Sequence, residues 1–342
     1  MPTLETSKEL EVFIQTAVSE NTRNNLSDRG IAWSIMRVDG VYTGKTTFVP
    51  TIETDLTEYG FSLLRAALAL REIKGDVDLI SKGFERAGRS FESLITNSAE
   101  KDLDKGFYEI IAACCYHLAG YSAIAFSILK NHENSNNNAA EIAIKYLIIR
   151  DLNGLRKFVE AILTEESKSD GRIASELIEA ELSNDDAIST IANASICRAL
   201  AYFDFGLQTG MENHIETAKF FLNKVISLTS KAGFVTLWWV SRLCRNLIDN
   251  LWDHSLHKNL PTVLPVGGEE LYPKLRKEFI LSLYARDVSE VELWPSQMEA
   301  TKRSSDITDD LVVALPTSAG KTRIAEIAAL ITLSTKWKIH VN

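Results

Sequence analysis

Apolar residues recur at helical spacing over most of this chain, and this periodicity constrains the fold more than any other feature. The clearest stripe has apolar positions four, three, four and three residues apart: Ile80, Phe84, Ala87, Phe91 and Leu94. Residues at that spacing share one face of an α-helix, which is buried against a neighbour. Because the pattern continues to about residue 257, we predict a mainly α-helical protein.

Short amphipathic segments separated by small turn residues follow one another along this region. Thr6-x-x-Glu9 has the form of a capping box at the start of the first helix. The segment Ala218–Val225 resembles the second helix of a tetratricopeptide-like repeat, but the period is too irregular for a named repeat. We therefore predict an α-helical solenoid or irregular bundle over residues 1–257.

A change in composition follows this helical region. Residues 258–268 contain two prolines and a pair of glycines, which is typical of a linker. Residues 269–342 then form a second region. The total length of 342 residues fits two domains.

Charge and hydropathy exclude several classes of protein. The formal net charge of −9 argues against a strongly basic nucleic-acid footprint over the whole chain. The start of the sequence lacks the basic and apolar segments of a signal peptide, so we expect a cytoplasmic protein. The longest near-apolar run, Ile110–Leu129, breaks at Ala119–Gly120 and predicts a buried helical hairpin rather than a membrane span.

The cysteines, histidines and paired tryptophans favour structural roles. No C-x-x-C motif occurs, so buried, reduced thiols are expected at four positions: Cys114, Cys115, Cys197 and Cys244. His254 and His257 have no third ligand nearby in sequence, which favours solvated helix residues over a metal site. For Trp238 and Trp239, on an apolar helical segment, core packing is favoured over base stacking.

One segment carries the pattern of a phosphate-binding loop. Leu311–Leu315 predicts a buried strand, Pro316–Ala319 a turn, and Gly320–Thr322 the start of a helix. In that context backbone N–H groups and the helix N-terminus would face an anion, and Gly320 would allow close approach. Gly44-Lys45-Thr46 lacks a preceding apolar run and is followed by Pro50, so we interpret it as an ordinary turn.

The segment differs from the standard G-x-x-x-x-G-K-[ST] pattern at Leu315, where that pattern has glycine. The version here, Pro-Thr-x-x-Gly-Lys-Thr, resembles motif I of superfamily-two helicases, which often lack the first glycine. The segment Leu293–Ala300 resembles the glutamine motif that precedes motif I, and Gln297 stands at its glutamine. The match is closest to processive DExH-box helicases, including bacterial ones of the Hachiman-type phage-defence kind, and covers roughly the last fifty residues.

The resemblance implies ATP and Mg²⁺ as ligands and assigns a role to each matching residue. Gln297 would pair with the adenine edge, Lys321 would be the catalytic lysine on the β- and γ-phosphates, and Thr322 would bind the metal. The nucleotide-binding set is Gln297, Pro316, Thr317, Ser318, Ala319, Gly320, Lys321 and Thr322.

The resemblance also implies a fold. Residues 269–342 would begin a RecA-like α/β domain, with Trp337–Val341 as a second parallel strand. The expected fold class is thus mainly α, with an α-helical solenoid or bundle followed by a truncated β-α-β part. Two open-edged strands are unstable alone, and the later acidic and arginine motifs are missing. We therefore expect an N-terminal piece of a longer helicase that does not itself turn over ATP.

Two classes of function compete at this point. In the first, the chain supplies an accessory helical domain and part of an ATP site to a helicase or translocase whose partner is DNA or RNA. In the second, the helical domain is a scaffold for a protein partner and the loop is vestigial. Neither reading involves a membrane.

Overall fold

The computed structural model places helices over almost all of the chain that it describes. It describes residues 6–19, 26, 51–97, 104–130, 137–164, 184–264, 270–304, 312–314 and 320–334. The helices are α1 (Ser7–Val18), α2 (Ile52–Glu72), α3 (Val77–Asn97), α4 (Lys105–Leu118), α5 (Ser122–Lys130), α6 (Ala139–Ile148), α7 (152–164), α8 (Asn184–Thr209), α9 (Glu212–Ala232), α10 (Val235–Asp253), α11 (Leu256–Asn259), α12 (Leu271–Tyr284), α13 (Pro295–Ser304) and α14 (Lys321–Ser334).

The predicted RecA-like β-α-β part is wrong, because no residue that the structure describes lies in a strand. Residues 312–314, inside the predicted strand Leu311–Leu315, have no regular structure, and Val312 is 90% exposed. The predicted second strand, Trp337–Val341, lies outside the described residues. Among those residues, β-type pairing is limited to an isolated antiparallel bridge between Ser255 and Glu292. The described chain is therefore all-α.

The physical reason is that a strand is not stable by itself. Its backbone N–H and C=O groups need partners on neighbouring strands, and an apolar run supplies burial but not those partners. A helix satisfies these groups within its own segment, so α14 forms without a sheet beside it. Local apolar character at residues 311–315 was therefore insufficient evidence for a strand.

The predicted capping box and hairpin are both confirmed. At the start of α1, Thr6 Oγ1 accepts from the Glu9 amide at 3.3 Å, and Glu9 Oε2 accepts from the Thr6 amide at 2.7 Å. The apolar run at residues 110–129 folds as α4 and α5 around Gly120, whose φ of +91° suits the turn. No helix in the described ranges is long and apolar enough to cross a membrane.

One compact unit contains Met1–Ile149, Ile162–Cys197 and Leu222–Leu247. The α3 stripe lies in its core, where Phe84, Ala87 and Phe91 are fully buried. Phe61 stacks edge-on against Phe91 at 4.9 Å between centroids, and the Trp239 ring lies 5.3 Å from Phe61. Trp239 is 8% exposed and packs in this core, which supports the predicted packing role for this member of the tryptophan pair.

The four cysteines belong to the same unit and are free and buried, as predicted. Burial raises the pKa of Cys114, Cys115 and Cys244 above the ordinary value for a thiol. A raised pKa keeps the thiol protonated and weakly nucleophilic. These cysteines therefore contribute packing rather than chemistry.

A partly exposed ion pair joins α2 to α10 in this unit. The guanidinium of Arg242 donates to both carboxylate oxygens of Glu72, at 3.0 and 2.9 Å, and Asn246 donates to the same group at 3.3 Å. Burial acts to raise the pKa of Glu72, but the bonds from Arg242 outweigh it, and the pKa is lowered below 4.5. The paired carboxylate is therefore stabilised in its charged form.

This lowered pKa predicts a pH-dependent stability. Because Glu72 releases its proton more readily in the folded protein, its contribution is fully present above pH 4.5 and is lost as the pH falls through the lowered pKa. We expect Glu72→Gln to reduce the free energy of unfolding at pH 7 and to flatten its fall in acid. Urea unfolding between pH 7 and pH 3 measures this; parallel pH curves for the variant and wild type would contradict it.

The second compact unit contains Arg150–Ala161, Arg198–Phe221 and Ile248–Asn342. Its core is a cluster of buried side chains from α11 to α14 and their connections: Leu256, Leu260, Leu264, Tyr272, Ile280, Leu283, Leu293, Ile327, Leu330 and Ile331. Helix α14 packs on α12 and α13, and Met298 of α13 lies against this cluster. The linker at residues 258–268 stays a prediction about domain organisation.

A polar cluster around the buried residues Asp204 and Tyr284 ties three elements of this unit together. The hydroxyl of Tyr284, on α12, donates to Asp204 on α8. Arg156, on α7, donates to the other oxygen of Asp204 from two nitrogens, both at 3.1 Å, and Gln208 donates to the Tyr284 hydroxyl at 3.1 Å. Burial raises the pKa of Asp204 and of Tyr284. Each polar group in the cluster has a partner, as a buried group requires.

Candidate nucleotide-binding site

The site is built where the chain enters α14. Gly320, the residue before the helix, has a φ of +70°, which glycine adopts readily and other residues do not. A Cβ at this position would lie 2.2 Å from Nε2 of Gln297. The backbone conformation therefore favours glycine here, and a Cβ would displace the Gln297 amide.

Gln297 joins the glutamine motif to the glycine of the loop. Its Nε2 donates to the Gly320 carbonyl at 3.1 Å, although the two residues are 23 positions apart. Its Oε1 accepts from the Trp294 amide at 2.8 Å, and the side chain is 5% exposed. The structure thus brings together two of the residues that the sequence assigned to one site.

The bond to Trp294 gives Gln297 a structural role that sequence reasoning missed. Gln297 stands at the third position of α13, from which a Glu or Gln side chain can reach back to cap the helix. The residue is buried, unlike a solvated residue at a helix N-terminus. One N–H and one lone pair of the amide remain after these two bonds, so pairing with a base edge is still chemically available.

Lys321 and Thr322 form the first turn of α14 and are both exposed. Neither side chain makes a hydrogen bond or ion pair with any residue that the structure describes. The amides of these two residues precede the first hydrogen bond of the helix, which the Arg323 backbone amide donates to the Gly320 carbonyl at 3.1 Å. Unpaired amides and a cation therefore lie together at the positive end of a helix dipole.

The first turn of α14 contains no acidic residue. Helices usually carry acidic side chains there, because a negative charge stabilises the N-terminus and a cation does not. A bound anion would supply the missing negative charge. The local electrostatics thus fit an anion site.

Arg323 is a residue of this region that sequence reasoning missed. Its side chain is 8% exposed, and it pairs with Glu290 and, at 2.5 Å, with Glu326. Its guanidinium carbon lies 5.8 Å from the ring centroid of Phe279 on α12. Burial lowers the pKa of Arg323, with Glu326 opposing that effect. No signal in the sequence identified this network, because Glu290 and Arg323 are 33 residues apart.

The remaining predicted residues cannot be placed. Pro316, Thr317, Ser318 and Ala319 lie outside the described residues, and so does the turn at residues 44–46.

His254 and His257 contact main-chain carbonyls of Asn250 and Leu207, at 2.7 and 2.9 Å. Within the part of the chain that the structure describes, no three His, Cys, Asp or Glu side chains are grouped for a metal ion.

No protein-family model matches this chain. A relative is nevertheless found among curated proteins. The chain is similar to Hachiman protein HamB of Bacillus cereus. The two sequences are 25% identical over 260 residues, which is 75% of this chain and 21% of HamB. The chain thus spans about a fifth of the length of HamB.

The similarity to HamB is broader than the motifs suggested. It extends over 260 residues, whereas the resemblance from the motifs covered roughly the last fifty. Much of the matched segment therefore lies in the helical region that precedes them. A likeness to a Hachiman-type protein is confirmed at this weak level of identity, and the helicase assignment stays a prediction.

Proposed function

We propose that this chain acts in antiphage defence, as a nucleotide-binding part of a protein of the Hachiman type. The similarity to HamB supports the defence role. The resemblance to helicase motifs supports an ATP-dependent activity of the whole protein on DNA or RNA. Because the chain spans about a fifth of HamB, helicase or translocase activity belongs to the proposal for the whole protein.

The observation that carries the nucleotide site is the bond between Gln297 and Gly320. It joins the two motifs by a direct contact at 3.1 Å, next to the exposed Lys321 and Thr322. A chance Gly-Lys-Thr turn has no reason to be held by the glutamine of a nearby motif. Two separate sequence signals thus converge on one place.

Each residue has a specific role in this proposal. Lys321, on its flexible stem, neutralises charge on the β- and γ-phosphates, and the amides of the first turn of α14 bind phosphate oxygens. The Thr322 hydroxyl would hold Mg²⁺, which would neutralise charge on the phosphates. The free N–H and lone pair of Gln297 select adenine over guanine. Hydrolysis requires acidic and arginine groups that these residues do not supply.

A phage challenge tests the proposed function. Cells carrying the intact gene should plate a panel of phages poorly, and Lys321→Ala should restore plating to the level of cells without the gene. Lys277→Ala is the matched control, because Lys277 is an exposed lysine on α12. Protection that survives Lys321→Ala would show that the loop is not needed for defence.

The scaffold reading has one observation in its favour. Phe205 and Phe220, on α8 and α9, are 48% and 56% exposed, and Tyr202 stacks on Phe221 at 5.7 Å. An exposed aromatic face is typical of protein interaction surfaces. If this reading is correct, Phe205→Ser will abolish protection while Lys321→Ala leaves it intact.

A further inference from the structure

We propose that Arg323 is a positioning residue for the phosphate site: it fixes the first turn of α14 so that Lys321 and Thr322 face the phosphates beside Gln297. This inference rests on the proposed function and adds a residue that lies outside the binding motifs. Arg323 does not touch the ligand in this account. It acts through the helix that carries Lys321 and Thr322.

Arg323 lies at an unfavourable position in its helix. It is the third residue of α14, where a cation opposes the helix dipole, and its side chain is 8% exposed. Burying a guanidinium also costs free energy of desolvation. An arginine at this place is therefore unfavourable for the helix by itself.

Arg323 connects two glutamates from different segments. Glu326 lies one turn along the same helix, whereas Glu290 lies in the connection between α12 and α13, just ahead of the glutamine motif. The Glu290 amide is itself fixed by the Leu283 carbonyl at 3.1 Å. Arg323 thus fastens the start of α14 to the backbone segment that leads to Gln297.

Arg323 belongs to a charge network with Arg286, Glu290 and Glu326. Arg286 pairs with Glu290 at 2.5 Å and approaches Glu326 at 3.8 Å, so two arginines and two glutamates balance their charges. Arg286 and Glu290 are 45% and 42% exposed, and Arg323 is the buried member. A planar guanidinium with two carboxylate partners and a ring beneath it has its orientation fixed.

Arg323→Met separates positioning from stability. Removing one member of an ion pair is costly when it leaves a buried charge unpaired, but Glu290 and Glu326 are 42% and 34% exposed and reach water. Arg323→Met retains contact with the Phe279 ring, and Arg286 remains to pair with both glutamates. If Arg323 contributes only packing, Arg323→Met keeps both the stability and the ligand affinity. If Arg323 orients the first turn of α14, the variant keeps its stability and loses affinity.

The test is calorimetric titration of the chain with ATP–Mg²⁺ and with inorganic triphosphate, together with thermal unfolding. We expect Arg323→Met to keep the melting temperature of the wild type and to bind both ligands about tenfold more weakly, a loss of about 1.4 kcal/mol. The affinity of Arg323→Lys should lie between those of the wild type and Arg323→Met, because lysine keeps the charge but lacks the planar, two-pronged guanidinium. Lys277→Met, on the exposed face of α12, should bind as the wild type does.

Each result has a defined meaning. Wild-type affinity in Arg323→Met, or a loss that merely follows a lower melting temperature, would overturn the positioning role and leave the proposed function intact. Failure of the wild-type chain to bind either ligand would overturn the proposed function itself. Should Arg323→Met not fold, Glu290→Gln removes the negative charge that pairs with Arg323, at a half-exposed position. We expect this variant to bind triphosphate severalfold more weakly. Unchanged binding would overturn the inference.

Discussion

Gly320→Ala is expected to weaken the binding of ATP–Mg²⁺ at least tenfold. The new Cβ would lie 2.2 Å from Nε2 of Gln297, so the amide must move and its bond to the Gly320 carbonyl must break. The φ of +70° adds a strain of about 1–2 kcal/mol for a residue with a Cβ. Calorimetric titration of the folded variant with ATP–Mg²⁺ measures the loss.

Gly233 provides the matched control for this substitution. Its φ is +79°, close to that of Gly320, but no atom lies within 4 Å of the position that a Cβ would occupy. Gly233→Ala therefore introduces the same backbone strain without a collision. It should lower stability by a similar amount and leave ATP affinity unchanged. If Gly320→Ala binds as tightly as Gly233→Ala, the contact with Gln297 has no role in the site.

Asp204→Asn is expected to lower the free energy of unfolding by about 2–3 kcal/mol, the range for losing hydrogen bonds to a buried charged group. The amide that replaces one carboxylate oxygen cannot accept from both Tyr284 and Arg156. One of these donors then loses its acceptor: Tyr284 is buried, whereas Arg156 is 43% exposed. Urea unfolding at pH 7 measures the change.

Asp249→Asn is the control for the buried carboxylate. Asp249 pairs with Lys219 at 3.0 Å, but its side chain is 34% exposed. Exposed ion pairs contribute about 0–1 kcal/mol, so this variant should unfold nearly as the wild type does. Equal losses of unfolding free energy in the two variants would show that the Asp204 cluster contributes no more to stability than an exposed ion pair does.

The helical part of the fold could be predicted from the sequence because a helix is a local structure. The spacing from Ile80 to Leu94 defines a buried face without reference to any distant residue, and the structure buries that face. The capping box at Thr6 and the turn at Gly120 are equally local. Each depends on residues within a few positions of one another.

The strand at residues 311–315 was predicted wrongly for the converse reason. A strand depends on pairing with segments that may be far away in sequence, and an apolar run does not reveal whether those partners are present. The described residues in that segment are instead largely exposed, with Val312 at 90%. The resemblance to a helicase motif implied a β-α-β fold, and the described residues are all-α instead.

The site was predicted in part. The motifs indicated Gln297 and Gly320, and the structure places them in contact. Arg323 was missed because an arginine after Gly-Lys-Thr has the pattern of a solvated helix residue. Its burial depends on Glu290 and Phe279, which no local spacing connects to it. The side chains that support a site are in general harder to predict than those that the motifs name.

The central claim is that a triphosphate binds at the start of α14. Titration of the purified chain with ATP–Mg²⁺, for wild type, Lys321→Ala and Lys277→Ala, tests it most directly. The account predicts saturable binding of one nucleotide by wild type and Lys277→Ala, and a loss of at least about tenfold in Lys321→Ala, equal to about 1.4 kcal/mol or more. Equal affinity of the two lysine variants, or no binding by the wild-type chain, would contradict it.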